Sequence, residues 1–490
     1  MKTLSKIDLP LLLQRIAIVI FVFFITLAAI AQIFLITRTW SLLKAFQIGL
    51  LVGVFLIPVG LIFTSPLFWG LVGNLKQYAL LWVIAIALGL RVVLIPLIST
   101  DFVTDMEDIH LFAADVYAGD PFANLKNYPN IPQATYLTLT GYVLSFVYKL
   151  FGASTGVAKF FLVVLAVLTV LLMYLVGREL GDVRTGLFAS FLYAALPSLI
   201  CYTGVLTGDH LALPLMMSVI LVQTRLYTTG QARSFYILIG YAICGALIGL
   251  TDWFRPVGLI LLIAVVVSML VYQLRKQTFL WTALALGILV LSYLTVSKLA
   301  VVITEKIFQT RIASSTEKIG AYVYVGLNSE SGGGVTLDDA RTIGETYQRF
   351  GRDYAAANRY LIDAAFGRLE KGQLGKLLIE KFNLMWASHN ALFDYALIGS
   401  NDQDFVNLLR DVESLPYLVI TVFILVNAIS SMRRKSPPGI FAMQLFVLGF
   451  ALLMLLFEVQ NRYVIVVIPY SILLAVLGMR NMFPLRQQLS

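Results

Sequence analysis

Charge is what this sequence has least of. Only 13% of its 490 residues are Asp, Glu, Lys or Arg, 59% are hydrophobic, and the mean hydropathy is +0.86. That balance excludes an ordinary soluble globular chain. Cysteine is almost absent: Cys201 and Cys244 both fall at or within apolar segments, so a disulfide framework or a metal knuckle has no support and both are expected as free thiols. Histidine is equally scarce, with three residues and no HxxxH spacing. A small-residue cleavage site is missing after the apolar amino terminus, so MKTLSKIDLPLLLQRIAIVIFVFF reads as an uncleaved first span. The net charge of +9 would suit nucleic acid, but the basic residues stand in short clusters between apolar runs. Positive-inside sorting is the simpler cause, and no nucleic-acid partner is expected.

What the chain does have is apolar runs of about twenty residues, each long enough to cross a hydrocarbon core of roughly 30 Å. They fall near 14–36, 46–64, 78–97, 157–177, 185–204, 208–224, 235–251, 257–274, 279–299, 415–432, 439–457 and 464–481. The expected fold is therefore an all-α polytopic membrane protein of about twelve transmembrane helices. The stretch 135–150 is apolar but short, rich in threonine and followed by Gly152, a helix-stopping residue. Omitting it from the spans, with a cytoplasmic amino terminus, places Arg178, Arg184, Arg225, Arg233, Arg275, Lys276, Arg433, Arg434, Lys435, Arg480 and Arg486 all inside; counting it places them all outside. The positive-inside bias makes it a juxtamembrane or re-entrant helix on the outer side. The organisation that follows is two leading helices in 1–77, a transmembrane core over 78–299 with an external loop 99–156, an external helical region 300–414 containing the run SGGGV, and closing spans over 415–490.

This topology sets the charged residues near span ends on one face. Such groups are costly there unless they serve a cavity or pair with each other, so they are expected to converge. The first group is TDMEDIHLFAADVYAGDP, an amphipathic helix ended by Gly119. Thr104 and Glu107 have capping-box spacing. Asp105 and Asp108 lie at the helix start, where the dipole favours a carboxylate, and a solvated first turn would account for both. Asp105 is singled out because it falls just beyond a span; Asp101 and His110 are weaker candidates. The second group is VLTGDHLALPL, where Asp209 serves equally as an N-cap or as a substrate contact and His210 beside it could contact a sugar or complete a metal site with Asp105 and Asp209. The third is TDWFRPVGLILL, whose Arg255 stands where a span begins and reads on its own as a snorkelling side chain. In the fourth, FEVQNRYVIVVIPY, residues Glu458, Gln460, Arg462 and Tyr463 crowd a junction between spans. There Arg462 offers a fork for phosphate oxygens or an i,i+4 partner for Glu458.

With these residues in view, the chain resembles the GT-C superfamily of integral-membrane glycosyltransferases, and within it the bacterial relatives of protein O-mannosyltransferase and aminoarabinose transferase. The resemblance covers roughly 78–300 and, more loosely, 415–481. It rests on the order of short motifs: a span, the acidic segment TDMEDIHLFA, a helix ending in KLFG, the turn LVGRELGDVRTGLFAS, then YTGVLTGDHLALPL, RPVGLILL and QNRYVIVVIPY.

The resemblance implies a sugar transferred in one inverting step from a polyprenyl-phosphate donor to an acceptor in the cell envelope, on the outer face of the cell membrane. It sets Asp105 in the place of the catalytic carboxylate, with Glu107 and Asp108 as rivals because relatives often carry an Asp-Glu pair there. Arg462 and Arg255 would hold the departing phosphate. Acceptor choice would lie in 300–414, where Trp386, His389 and Asp394 cluster in NLMWASHNALFDY; packing is the alternative role for Trp386. No cofactor is required by these residues; a divalent cation on the carboxylates stays open. A transporter or flippase for a lipid-linked sugar would share the span count, but would set charges in mid-span and have little outer domain. A noncatalytic partner in envelope assembly is a third reading.

Overall fold

The computed structural model describes residues 9–50, 52–53, 78–98, 100–122, 131, 134–228, 235–273, 279–309, 315–351, 353–369, 372–387, 391–400, 402–433 and 436–482. Among them the regular elements are all helical. The chain is an all-α multi-pass membrane protein. Seven helices are long and apolar enough to cross a membrane, and three shorter ones are apolar along their length.

Helix α1 (Leu9–Thr39) and residues 42–50 come first, followed by α2 (Ala79–Leu94). Next are α3 (Asp105–Ala118) and α4 (Thr135–Phe151), which pack on each other. Both stop where a left-handed residue was expected, at Gly119 (φ 92°) and Gly152 (φ 85°). Helix α4 buries Leu137, Leu144 and Tyr148 while Phe146, Leu150 and Phe151 stay uncovered, an amphipathic arrangement unlike that of a centrally packed span.

The core continues through α5 (Thr155–Leu180), α6 (Val183–Ala195), α7 (Pro197–Tyr202), α8 (Asp209–Thr228), α9 (Phe235–Phe254), α10 (Gly258–Gln273) and α11 (Phe279–Phe308). Four smaller helices follow: α12 (Ile319–Gly326), α13 (Leu337–Arg349), α14 (Tyr354–Gly367) and α15 (Gln373–Phe382). A π-helical turn over Asn383–Ala387 and α16 (Ala391–Ala396) lead into α17 (Gln403–Arg433), α18 (Pro438–Leu456), a 3-10 turn over Asn461–Val466 and α19 (Ile468–Met482).

The expected span 185–204 is broken. Pro197 lacks an amide hydrogen and keeps Leu196 extended (φ −65°, ψ 123°), so the chain forms two helices, α6 and α7. The break is held from both sides. Arg91 of α2, 0% exposed, donates to the carbonyls of Ala194 (3.0 Å), Ala87 (3.2 Å) and Tyr193 (3.4 Å) and to Thr203 Oγ1 (3.2 Å). Glu413 of α17, 1% exposed, accepts from Ser198 N (2.7 Å) and from the Ser198 hydroxyl. A cation thus meets the carbonyl end of one helix and an anion the amide end of the next, each opposite the dipole it complements.

The span expected over 46–64 lies largely outside the described residues. Cys201 and Cys244 are buried thiols. The described basic residues Arg178, Arg225 and Arg480 gather at one end of the bundle, where Arg225 meets Glu179 (3.1 Å) and Arg480 meets Asp182 (3.3 Å). Asp209 opens α8 and Arg225 lies in its last turn, so the acidic cluster described below sits roughly 24 Å away at 1.5 Å per helical residue.

Candidate functional site

Four segments far apart in sequence bring their charges together at the other end of the bundle. Asp209, 1% exposed, accepts from Tyr202 Oη (3.0 Å) and Thr207 Oγ1 (3.2 Å) and pairs with Arg255 Nε (3.2 Å). Arg255 lies between α9 and α10, its guanidinium 4.3 Å from the centre of the Tyr463 ring. The loop carrying it is pinned by Asp252, which accepts from Gly258 N (2.7 Å) and from Tyr293 Oη (2.9 Å). Asp209 is the first residue of α8 and its carboxylate is committed to these side chains; the N-cap reading is replaced by a buried ion pair.

Arg462 is the second cation. Its Nε donates to Gln460 Oε1 (2.9 Å), its Nη2 lies 3.8 Å from Asp105 Oδ2, and its guanidinium sits 4.6 Å from the centre of the Tyr395 ring. Burial works against the charge of Arg462, but Tyr202, Tyr463, Asp209 and Tyr395 outweigh it and hold the guanidinium above its ordinary range. It stays a cation at any working pH. The i,i+4 pair of Glu458 with Arg462, one of the two readings of that spacing, does not form, because residues 457–460 are not helical. Glu458 instead accepts from Gln460 Nε2 (2.8 Å) and Tyr463 Oη (3.0 Å), so Gln460 bridges the acid and the arginine. Tyr136, at the start of α4, is pushed up by burial, with Tyr322, Asp105 and Glu458 adding to the shift and Arg255 opposing it, which places its phenol among the same charges.

The acidic helix start differs from expectation in one respect. Thr104 adopts φ 51°, ψ −124° and makes no side-chain cap bond, so the capping box with Glu107 is absent. An N-cap hydroxyl reaches the N3 amide from extended backbone, and Thr104 is not extended. Glu107 is exposed, Asp108 is buried, and Asp105, partly exposed, is the carboxylate whose Oδ2 approaches Arg462.

The other candidates lie apart from this contact. His210 is buried against Tyr202, its Nε2 3.1 Å from the Tyr202 carbonyl oxygen. His110 is tied to Tyr148 Oη (2.6 Å), and burial lowers its pKa against the pull of Glu107. Trp386 is buried edge-on against Phe24 of α1 (4.9 Å, 87°). His389 lies outside the described residues. Asp394 joins Arg410 to Asn461, beside Arg462. Among the described residues no three His, Cys, Asp or Glu side chains are grouped as metal ligands. A cavity of about 380 Å³ opens between α1 and α17, lined by Trp40, Lys44, Arg410 and Asp411; it shares no side chain with the charged cluster.

Sequence reasoning missed Tyr202 and Thr207, which hold Asp209, and Tyr395, which lies against Arg462, and it named Gln460 without its part as the bridge between Glu458 and Arg462. Tyr202 and Thr207 stood beside Asp209 in the motif, but the partner of Tyr395 lies across the fold.

The class defined so far is a multi-pass membrane protein with a charged, tyrosine-lined cluster at one end of its bundle. Residues 138–299, about a third of the chain, match the protein-family model described as dolichyl-phosphate-mannose-protein mannosyltransferase. That segment contains Asp209 and Arg255, and the resemblance to GT-C membrane glycosyltransferases read from sequence is matched there. No curated protein gives a significant match. Among solved structures, the oligosaccharyltransferase AglB from Archaeoglobus fulgidus, in complex with an inhibitory peptide and a dolichol-phosphate, shares 16% identity at a TM-score of 0.44, covering 84% of this chain and 51% of that one. The Archaeoglobus fulgidus oligosaccharyltransferase in complex with Zn and sulfate shares 17% at 0.46, over 83% and 49%, and its apo form 16% at 0.45, over 85% and 53%. The chain spans about half the length of these proteins.

Proposed function

We propose that this chain is a membrane glycosyltransferase that moves a sugar from a polyprenyl-phosphate donor to an extracytoplasmic envelope acceptor. The observation that carries this reading is the meeting of Asp105 and Arg462, 3.8 Å apart and drawn from opposite ends of the chain. The reaction needs a carboxylate on one side of the sugar and a guanidinium on the other, so the donor would enter between Asp105 and Arg462 and part their 3.8 Å pair. Asp105 takes the proton of the acceptor hydroxyl as its oxygen attacks the anomeric carbon. The bond from that carbon to the phosphate oxygen breaks from the opposite side, its electron pair leaves with the polyprenyl phosphate, and the anomeric centre inverts. Arg462 holds the phosphate charge. Arg255 is committed to Asp209 and acts chiefly as long-range charge. Residues 300–414 would supply acceptor contacts, and 1–77 would add two helices ahead of the core.

The donor assignment is tested by release of labelled sugar from a polyprenyl-phosphate donor by purified protein. No turnover with any polyprenyl-phosphate sugar, combined with uptake of a lipid-linked sugar into vesicles, would replace the enzyme with a flippase. The face is tested by single-cysteine labelling after Cys201 and Cys244 are replaced. A cysteine at position 105 should label from outside and one at 276, outside the described residues, only from inside; the reverse would overturn the parity argument.

A further inference from the structure

The glycine run at 331–335 and the buried Lys381 have no part in the chemistry above. Lys381 lies on α15 and is 1% exposed. An ammonium in such a place is stable only with acceptors around it. It has two: Nζ donates to Gly326 O (2.9 Å) and to Phe457 O (2.6 Å). Gly326 is the last residue of α12 and Phe457 follows the last residue of α18, so one cation faces the carbonyl ends of two helices. Burial holds the ammonium down at about 8, with Glu458 raising it.

The same few residues grip the next stretch of chain. Glu458 N donates to Tyr322 O (2.9 Å) and Val459 N to Gly333 O (2.9 Å), and the Phe457 ring stacks on Tyr322 (6.2 Å, 27°). Glycine is needed in this contact. At Gly326 a Cβ would meet the backbone of Leu456 and Phe457, and at Gly333 (φ +84°) it would lie 3.0 Å from both Gly326 O and Lys381 Cε. Beyond the gripped residues stands Gln460, whose Oε1 takes the hydrogen bond of Arg462 Nε and that of Tyr395 Oη (3.1 Å).

We infer that Lys381, with the loop 326–334, is a positioning latch that fixes the backbone at 457–459 and so sets where Arg462 stands to grip the donor phosphate. The latch links the helices α12–α15 to the cluster although none of them adds a charge to it. Its effect on the phosphate rests on the reading of Arg462 given above.

The test uses the full-length chain in detergent, with backbone amide exchange over 457–463 as one readout and affinity for polyprenyl phosphate as the other. Lys381→Met should speed exchange at Glu458 and Val459 and weaken polyprenyl-phosphate binding, each by about tenfold, the scale of one lost charged hydrogen bond. Exchange within α18 and α19 should not change. Lys381→Arg should restore most of both effects, and Gly333→Ala should reproduce the lesion from the other side of the latch. Unchanged exchange at 457–459 in Lys381→Met would overturn the latch. Faster exchange with unaltered phosphate affinity would overturn its positioning role. If the wild type itself binds no polyprenyl phosphate, the donor reading is what fails, while the exchange comparison still decides whether the latch exists.

Discussion

Arg91 and Arg462 are both nearly buried, and they teach different things. Arg91 directs its donors at one threonine hydroxyl and three backbone carbonyls, two of them at the end of α6 beside its break with α7 and one in its own helix. Arg462 has one hydrogen bond to a side chain, a looser approach to Asp105 and two tyrosine faces within 6 Å. The carboxylates show the same contrast. Glu413 is taken up by Ser198, whereas Asp105 makes only the 3.8 Å ion pair among the described residues and is partly exposed. A charge whose partners are backbone is part of the scaffold. A charge surrounded by side chains that can turn, at one end of a bundle, is equipped to exchange a partner for a ligand.

The comparison breaks most sharply on turnover. Asp105→Asn keeps the shape and removes the proton acceptor, so kcat should fall about a hundredfold or more, the usual loss of a general base. Glu413→Gln should leave kcat of the surviving folded protein near normal. Transfer assays on variants matched for monodispersity measure both, and a deeper loss in Glu413→Gln would end the division between scaffold and site.

Stability is next in size. Arg91→Met leaves the carbonyls of Ala87, Tyr193 and Ala194 without that donor, at a cost of about 3 kcal/mol or more, while polyprenyl-phosphate affinity of the folded fraction should hold. Arg462→Ala should do the reverse: affinity down about ten- to hundredfold, with little change in thermal unfolding. Arg462→Lys should recover part of that, since the charge returns without the fork. Equal phosphate affinity in wild type and Arg462→Ala would move that arginine to the scaffold side.

The spans were readable in the sequence because twenty apolar residues are a direct statement about a bilayer. The break at Pro197 was not, since YAALPSLICY stays apolar through it and the proline shows its effect only once Arg91 and Glu413 are seen on either side. The convergence of Asp105, Asp209, Arg255, Glu458 and Arg462 at one end of the bundle followed from the cost of unpaired charge near a membrane. Which charge pairs with which did not follow. Glu458 and Arg462 have helical spacing on a segment that is not a helix, and Thr104 and Glu107 have capping-box spacing where the threonine backbone is left-handed. Lys381 gave no signal at all, because its partners are backbone carbonyls 55 and 76 residues away.

The smallest expected effect separates the three acids of α3. Glu107 is exposed and has lost its capping role, so Glu107→Gln removes only a favourable charge at a helix start, about 0.5 kcal/mol. Turnover should then stay within about threefold of wild type, since no proton transfer is removed. Asp108 is buried, so Asp108→Asn should be felt more in thermal unfolding than in kcat. The measurement is kcat and unfolding temperature for the three variants side by side, with Asp105→Asn as reference. If Glu107→Gln costs more turnover than Asp105→Asn, the base is Glu107, and the contact between Asp105 and Arg462 then belongs with Arg91 and Glu413 as scaffold.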